Sequence, residues 1–286
     1  MTVINPGTLY VVATPLGNRD DITLRALNVL REVDLIAAED TRKTRSLLAL
    51  HSITNNLISY HEHNEAERTP KLIDKLEKGL SMALVSNAGT PMISDPGYRL
   101  IEAALGNRLT VIPIPGVSAA TTALSVAGLP TDSFTFVGFL SKKKARRLRQ
   151  INELARVPRT LIFYESPRRI VTLLTEITDI MGNRRGVLAR EMTKLHEEFI
   201  RGLLSEIADQ LADRKDIRGE CTLLVAGNDS DTGPSWPEVK QQIEAAVAAG
   251  QKSLSAIARE IASTAGIAKN RIYAEALKIS KELDSG

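Results

Sequence analysis

The chain has 286 residues, 43% of them hydrophobic and 25% charged, with a formal net charge of +3. That length holds two or more domains, and the composition is that of a soluble globular protein. No apolar run reaches the roughly 18 residues needed to span a bilayer, which excludes a helical membrane channel or transporter.

The single cysteine, Cys221, excludes an intrachain disulfide framework. It sits in the apolar run Cys221-Thr222-Leu223-Leu224-Val225, where a buried, inert thiol is expected. The N-terminus shows no charged stretch followed by an apolar one, so no export signal is read and a cytoplasmic location is expected.

In chain order, residues 9–13 are apolar and β-prone, and break into the turn Thr14-Pro15-Leu16-Gly17-Asn18. A helix over 24–30 and a strand over 35–38 follow, the strand ending on Glu39-Asp40-Thr41-Arg42. Strands are predicted at 57–60, 82–86 and 110–114, with helices at 69–78 and 98–105. The alternation implies a mainly parallel sheet covered by helices, with ligands expected at the carboxyl ends of the strands. Neither G-x-G-x-x-G nor G-x-x-x-x-G-K-[ST] is present, which weighs against dinucleotide and phosphate-loop chemistry. His61-Glu62-His63 lacks a third well-spaced ligand, and no metal site is expected.

Pro113, Pro115 and Gly116 mark the next boundary. Beyond it, helices near 117–127, 145–154, 168–180 and 204–211 alternate with strands near 134–138, 160–164, 186–190 and 221–226. Lys142-Lys143-Lys144-Ala145-Arg146-Arg147-Leu148-Arg149 carries six basic residues and no acid. Such a run is a solvated face or a footprint for phosphates. The polar stretch 227–235 reads as a linker. The tail is helical: 254–264, a turn at Ala265-Gly266-Ile267, then 268–277, a helix-turn-helix pattern with Lys269, Asn270 and Arg271 at the start of the second helix. A plain helical hairpin for subunit contact is the alternative.

Several segments together resemble the tetrapyrrole methylase superfamily. Thr23-Leu24-Arg25-Ala26 resembles its L-T-L-R-A helix start, and Pro113-Ile114-Pro115-Gly116-Val117-Ser118-Ala119-Ala120 resembles its V-P-G-x-S-A segment. The loop Pro15-Leu16-Gly17-Asn18 is similar to that of one branch, the ribosomal RNA small subunit methyltransferase I family. So are Ser86-Asn87-Ala88-Gly89-Thr90-Pro91-Met92-Ile93-Ser94-Asp95-Pro96-Gly97, His61-Glu62-His63-Asn64-Glu65, Phe163-Tyr164-Glu165-Ser166-Pro167-Arg168-Arg169 and Ala189-Arg190-Glu191-Met192-Thr193-Lys194. Two positions depart from that branch. Asn87 stands where it usually has Asp, and Leu203 where it usually has Thr.

The resemblance implies a two-domain α/β fold of tetrapyrrole methylase type: a parallel-sheet domain over 1–114 and a mixed-sheet domain over 115–227. A linker over 228–236 and an all-helical RNA-docking extension over 237–286 complete it. It implies S-adenosylmethionine as cofactor, held by Thr14, Pro15, Leu16, Gly17, Ala88, Gly89, Thr90, Ile93, Ser118, Ala119, Ala120, Met192 and Thr193. It implies methylation of a cytidine ribose 2′-oxygen in the decoding centre of 16S ribosomal RNA, within the small subunit, by a homodimer. RNA contacts are expected from Lys142, Lys143, Lys144, Arg146, Arg147, Lys269, Asn270 and Arg271.

Methyl transfer to a hydroxyl needs alignment and a proton acceptor. Glu165, Asp95 and Asp40 are candidate bases, and Lys194 a fourth if its pKa is strongly lowered; no spacing selects among them. Two rivals stay open: a small-molecule methyltransferase, against which the basic run and the tail weigh, and a non-catalytic ribosome-assembly protein, which Asn87 and Leu203 keep in view.

Overall fold

A computed structural model describes residues 3–214, 216–228, 236–250, 252–265 and 269–284. The chain divides into two compact units, one comprising Met1–Ala155 with Arg159–Ala226, the other Arg156–Pro158 with Gly227–Gly286.

The first unit holds two five-stranded sheets. The first is built from β1 (Thr8–Val12), β2 (Leu35–Ala38), β3 (Leu57–Ser59), β4 (Met82–Val85) and β5 (Thr110–Ile114), in the order β3-β2-β4-β1-β5. All its pairings are parallel. Parallel strands are covered on both faces, so they read as continuous apolar runs; β4, Met-Ala-Leu-Val, is buried throughout. The crossovers are α1 (Leu24–Glu32), α2 (Thr41–Leu50), α3 (Glu65–Glu77) and α4 (Tyr98–Gly106). Thr23 caps α1 by accepting from the Ala26 N–H at 3.1 Å, and Asp40 caps α2 by accepting from Arg42 N–H. One face of the sheet packs Val29, Leu30, Ile36 and Val85 together, the other Leu9, Leu72, Leu76 and Leu84.

α5 (Ala119–Ser125) leads to the second sheet: β6 (Phe134–Phe139), β7 (Thr160–Glu165), β8 (Arg185–Arg190), β9 (Glu198–Leu203) and β10 (Cys221–Val225), in the order β6-β7-β10-β8-β9. Only β6 and β7 run parallel; the remaining pairs are antiparallel. α6 (Lys144–Leu154), α7 (Ile170–Met181) and α8 (Leu204–Ala212) connect its strands. The mixed sheet matches expectation, whereas β9 and α2 were not among the predicted elements.

The second unit contains α9 (Trp236–Ala248), α10 (Leu254–Ala265) and α11 (Lys269–Asp284). Val239, Ile243, Ile257, Ile261, Ile272 and Ile279 form its core. The proposed turn residues Gly266 and Ile267, and most of the linker, lie outside the described residues. No helix among the described residues is long and apolar enough to cross a membrane.

Candidate active site

The C-terminal ends of parallel strands leave backbone groups and following loops free for a ligand. Here the loops after β1, β2 and β4 meet the end of β7 around a cavity of about 410 Å³. Antiparallel pairing places Cys221 opposite Glu165, so the start of β10 joins the same wall. Leu16, Glu39, Asn87, Asp95, Tyr164, Glu165 and Glu220 are among the lining residues.

Reciprocal hydrogen bonds join the loops after β1 and β4: Thr14 N–H donates to the Gly89 carbonyl at 2.9 Å and Gly89 N–H returns one to Thr14 at 2.8 Å. Thr14 Oγ1 donates to the Ser86 carbonyl at 3.1 Å, and Thr90 Oγ1 ties in the loop after β5 by donating to the Val117 carbonyl at 3.1 Å. At Gly116 a Cβ would meet the Ala13 Cβ at 2.7 Å, so only glycine lets this loop lie against the end of β1. The second sheet is attached by Ala120 N–H, which donates to Tyr164 Oη at 3.1 Å.

The candidate bases separate by environment. Asp95 lines the cavity, and burial, reinforced by the Glu39 carboxylate, pushes its pKa from 3.8 up to about 7 despite a hydrogen bond from Ser86. Glu165 also lines the cavity but is only 3% exposed and already held by three donors. These are Ser166 N–H at 2.7 Å, Ser166 Oγ at 3.2 Å and Arg169 Nη2 at 2.6 Å. Asp40 is not in the cavity wall. Its carboxylate caps α2 and pairs with Arg42 at 3.0 Å, a hydrogen bond that holds its pKa down at about 2. Lys194 fails the condition set for it. Burial opposes its charge, but Glu191 at 2.7 Å and Glu220 at 3.1 Å outweigh that and raise its pKa, so it stays a cation.

Of the expected cofactor contacts, Leu16, Ala88, Gly89, Thr90, Ile93, Ser118 and Ala119 line the cavity. Thr14, Pro15 and Gly17 line an adjoining pocket of about 190 Å³ that shares Leu16, Lys43 and Asn87 with it. Three do not reach either wall. The N–H of Ala120 is spent on Tyr164, Met192 is buried in the core beside α5, and Thr193 Oγ1 accepts from Asn18 N–H at 3.0 Å. Thr193 therefore supports the loop after β1 through Asn18, while Met192 packs in the core of the second sheet.

Glu39, Lys43, Phe139, Tyr164 and Glu220 were missed as site residues. For Glu39 a signal existed. Asp is the better helix cap, so Asp40 is drawn to α2 and the strand-end carboxylate left for the cleft is Glu39. Leu203 is not among the lining residues; it is the N-cap of α8, so the hydroxyl missing there is a capping group.

The expected RNA contacts also divide. Lys142, Lys143, Lys144 and Arg146 are exposed. Arg147 is corrected: it is buried and clamps Glu176 through Nε at 2.6 Å and Nη2 at 2.8 Å, so it is a structural residue of α6 and α7. In the second unit Lys269, Asn270 and Arg271 are exposed at the start of α11, and the Arg271 guanidinium lies 4.2 Å from the Trp236 ring centre.

The family model for Tetrapyrrole (Corrin/Porphyrin) Methylases matches residues 8–208. A protein of Halalkalibacterium halodurans named Ribosomal RNA small subunit methyltransferase I is 47% identical over 93% of each chain. A protein of the same name from Pseudomonas aeruginosa is 45% identical over 96% of this chain and 98% of its own. Among solved structures, the uroporphyrin-III C-methyl transferase of Thermus thermophilus complexed with S-adenyl homocysteine aligns at a TM-score of 0.55 with 18% identity, covering 77% of this chain and 97% of that one. A diphthine synthase aligns at 0.58 with 14% identity over 77% and 90%. At such identities these structures speak to the fold. Taken with the two sheets and the cavity between their loops, the matches show that this chain belongs to the tetrapyrrole methylase family, within the group of proteins named Ribosomal RNA small subunit methyltransferase I.

Proposed function

We propose that the chain is an S-adenosylmethionine-dependent methyltransferase whose acceptor is the ribose 2′-hydroxyl of a cytidine in the decoding centre of small-subunit ribosomal RNA. The observation that carries the chemistry is one cavity in which the Asp95 carboxyl, its pKa pushed up by burial, lies in the same wall as Leu16, Gly89 and Ser118 from three strand-end loops. The full-length relatives carry the acceptor class.

The residues fit the cofactor. Asn87 Oδ1 is buried at the cavity wall with no hydrogen-bond partner, an acceptor waiting for a ligand donor. Glu39 and Asp95 line the cavity with Lys43, while Glu165 and Glu220 in the same wall are already paired with Arg169 and Lys194. When bound, S-adenosylmethionine supplies a methyl group on a positively charged sulfur. Leu16, Ala88–Gly89 and Ser118–Ala119 would hold it, with Asn87 accepting one of its N–H groups.

Asp95 is the best placed base. A carboxyl with a pKa near the working pH accepts a hydroxyl proton more effectively than one already neutralised by Arg169. Glu165, locked by its three donors, orients the wall. Asn87, in place of the branch's usual Asp, serves as an acceptor rather than a base. The basic run at 142–146 and the start of α11 would meet the phosphates. We also propose a cytoplasmic homodimer, for which the exposed Leu24 and Leu195 are candidate contacts.

The acceptor class is tested by competition. Labelled cofactor is offered with undermethylated small ribosomal subunits and with a porphyrinogen together. Label on the RNA supports the proposal, and label on the tetrapyrrole alone overturns it.

A further inference from the structure

β6 does not pair regularly with β7. Phe136 faces Ile162, but Gly138 faces Phe163, so Val137 is an extra residue in the ladder. In a regular strand residues 136 and 138 would share a face. The bulge advances the register by one and gives that place to Phe139. Both Phe136 and Phe139 accordingly stand edge-on to Tyr164, with ring centres at 5.0 and 5.7 Å. Gly138 makes the bulge possible: its φ is +69°, and a Cβ there would meet Ser94 Oγ at 2.8 Å, against the loop that carries Asp95.

The result is an aromatic ring in the cavity wall that is 59% exposed. A large ring exposed in the wall of a cavity is placed to contact what enters it. Three residues further on, Lys142, Lys143 and Lys144 are exposed, followed by Arg146. An exposed aromatic ring followed in the chain by exposed cations suits an unstacked base on the ring and the flanking phosphates on the cations.

We infer that Phe139 is the stacking platform for an unpaired nucleobase of the RNA, at or next to the methylated nucleotide, and that the β6 bulge exists to aim it. This rests on the RNA-methylation reading. Stacking fixes the base, and through it the ribose, relative to Asp95, so the ring acts as a substrate-binding and specificity residue.

The test compares Phe139→Leu and Phe139→Tyr with the unaltered protein, using undermethylated small ribosomal subunits as acceptor and calorimetry for the cofactor. Phe139→Leu is expected to lower kcat/KM about ten- to a hundredfold, mainly through KM, with cofactor Kd unchanged, and Phe139→Tyr to restore most of it. Phe134→Leu, at the far end of the same strand, serves as control. A second measurement reads the contact directly. Phe139→Trp in a Trp236→Phe background places the sole tryptophan at the platform, and a single-stranded, cytidine-containing oligoribonucleotide should quench it.

Unchanged kcat/KM in Phe139→Leu, or a weakened cofactor Kd with unchanged KM for subunits, overturns the inference; the second result would assign the ring to the cofactor. If the unaltered protein methylates no ribosomal RNA, the functional reading fails instead. The quenching then still decides whether position 139 stacks on RNA, and its absence overturns the platform.

Discussion

Two charged residues show how environment sorts roles that residue type leaves open. Asp95 is raised to about 7 by burial and by Glu39. Between pH 4 and 7 the folded protein therefore holds a proton that the unfolded chain has lost, and this group's contribution to stability falls as pH rises through that window. Catalysis should run the opposite way, with kcat rising through an inflection near pH 7. In Asp95→Asn the inflection should vanish with the activity, while unfolding free energy loses part of its decline over the same window. Single-turnover rates and denaturant melts across pH check both.

Arg147 is the second case. The sequence shows one more cation in a basic run. The structure shows a bidentate ion pair to Glu176, both side chains nine-tenths buried. Removing one partner strands the other charge, so Arg147→Ala should cost about 3–5 kcal/mol in chemical denaturation. Below the melting range it should leave RNA affinity unchanged, unlike a substitution of Lys143. The neighbours of an arginine in space are not written in the residues beside it, which is why the run reads as uniform from sequence.

Elements were legible where one physical signal dominated. β2 and β5 fall at 35–38 and 110–114 as predicted, because a short apolar run between turns has few other fates. β9, Glu-Phe-Ile-Arg-Gly-Leu, is a sheet edge with charged residues and a glycine, so its apolar signal is diluted. α3 begins at Glu65 rather than 69, since Pro70 marks a helix start in sequence but here lies inside the helix. The site loops were legible as motifs, and seven of the thirteen expected cofactor contacts line the main cavity. Phe139 was not legible, because its direction depends on a one-residue bulge.

The same scale explains Leu203. As N-cap of α8 it makes no side-chain capping hydrogen bond, although Glu206 Oε2 still accepts from its N–H at 2.8 Å. Leu203→Thr should stabilise the protein by about 1 kcal/mol with little effect on kcat. A larger change in kcat than in stability would place this position at the site after all.

At the scale of the molecule, the cavity belongs wholly to the first unit, while Lys269, Asn270 and Arg271 belong to the second. The proposed division of labour follows: the first unit holds cofactor and reacting groups, and the second adds affinity for RNA. Ending the chain at residue 228 should leave cofactor Kd unchanged and raise KM for ribosomal subunits at least tenfold. Equal losses of both would show that the second unit supports the cavity rather than the RNA.

The most direct measurement is to let the protein transfer labelled methyl groups to small ribosomal subunits lacking ribose methylation, digest the RNA and locate the label by mass spectrometry. Label on the ribose of one decoding-centre cytidine is the expected result, and it would show that Asn87 sustains turnover. Label on a base or on another nucleotide would contradict the proposed acceptor, and no label with the cofactor bound would contradict catalysis on this RNA.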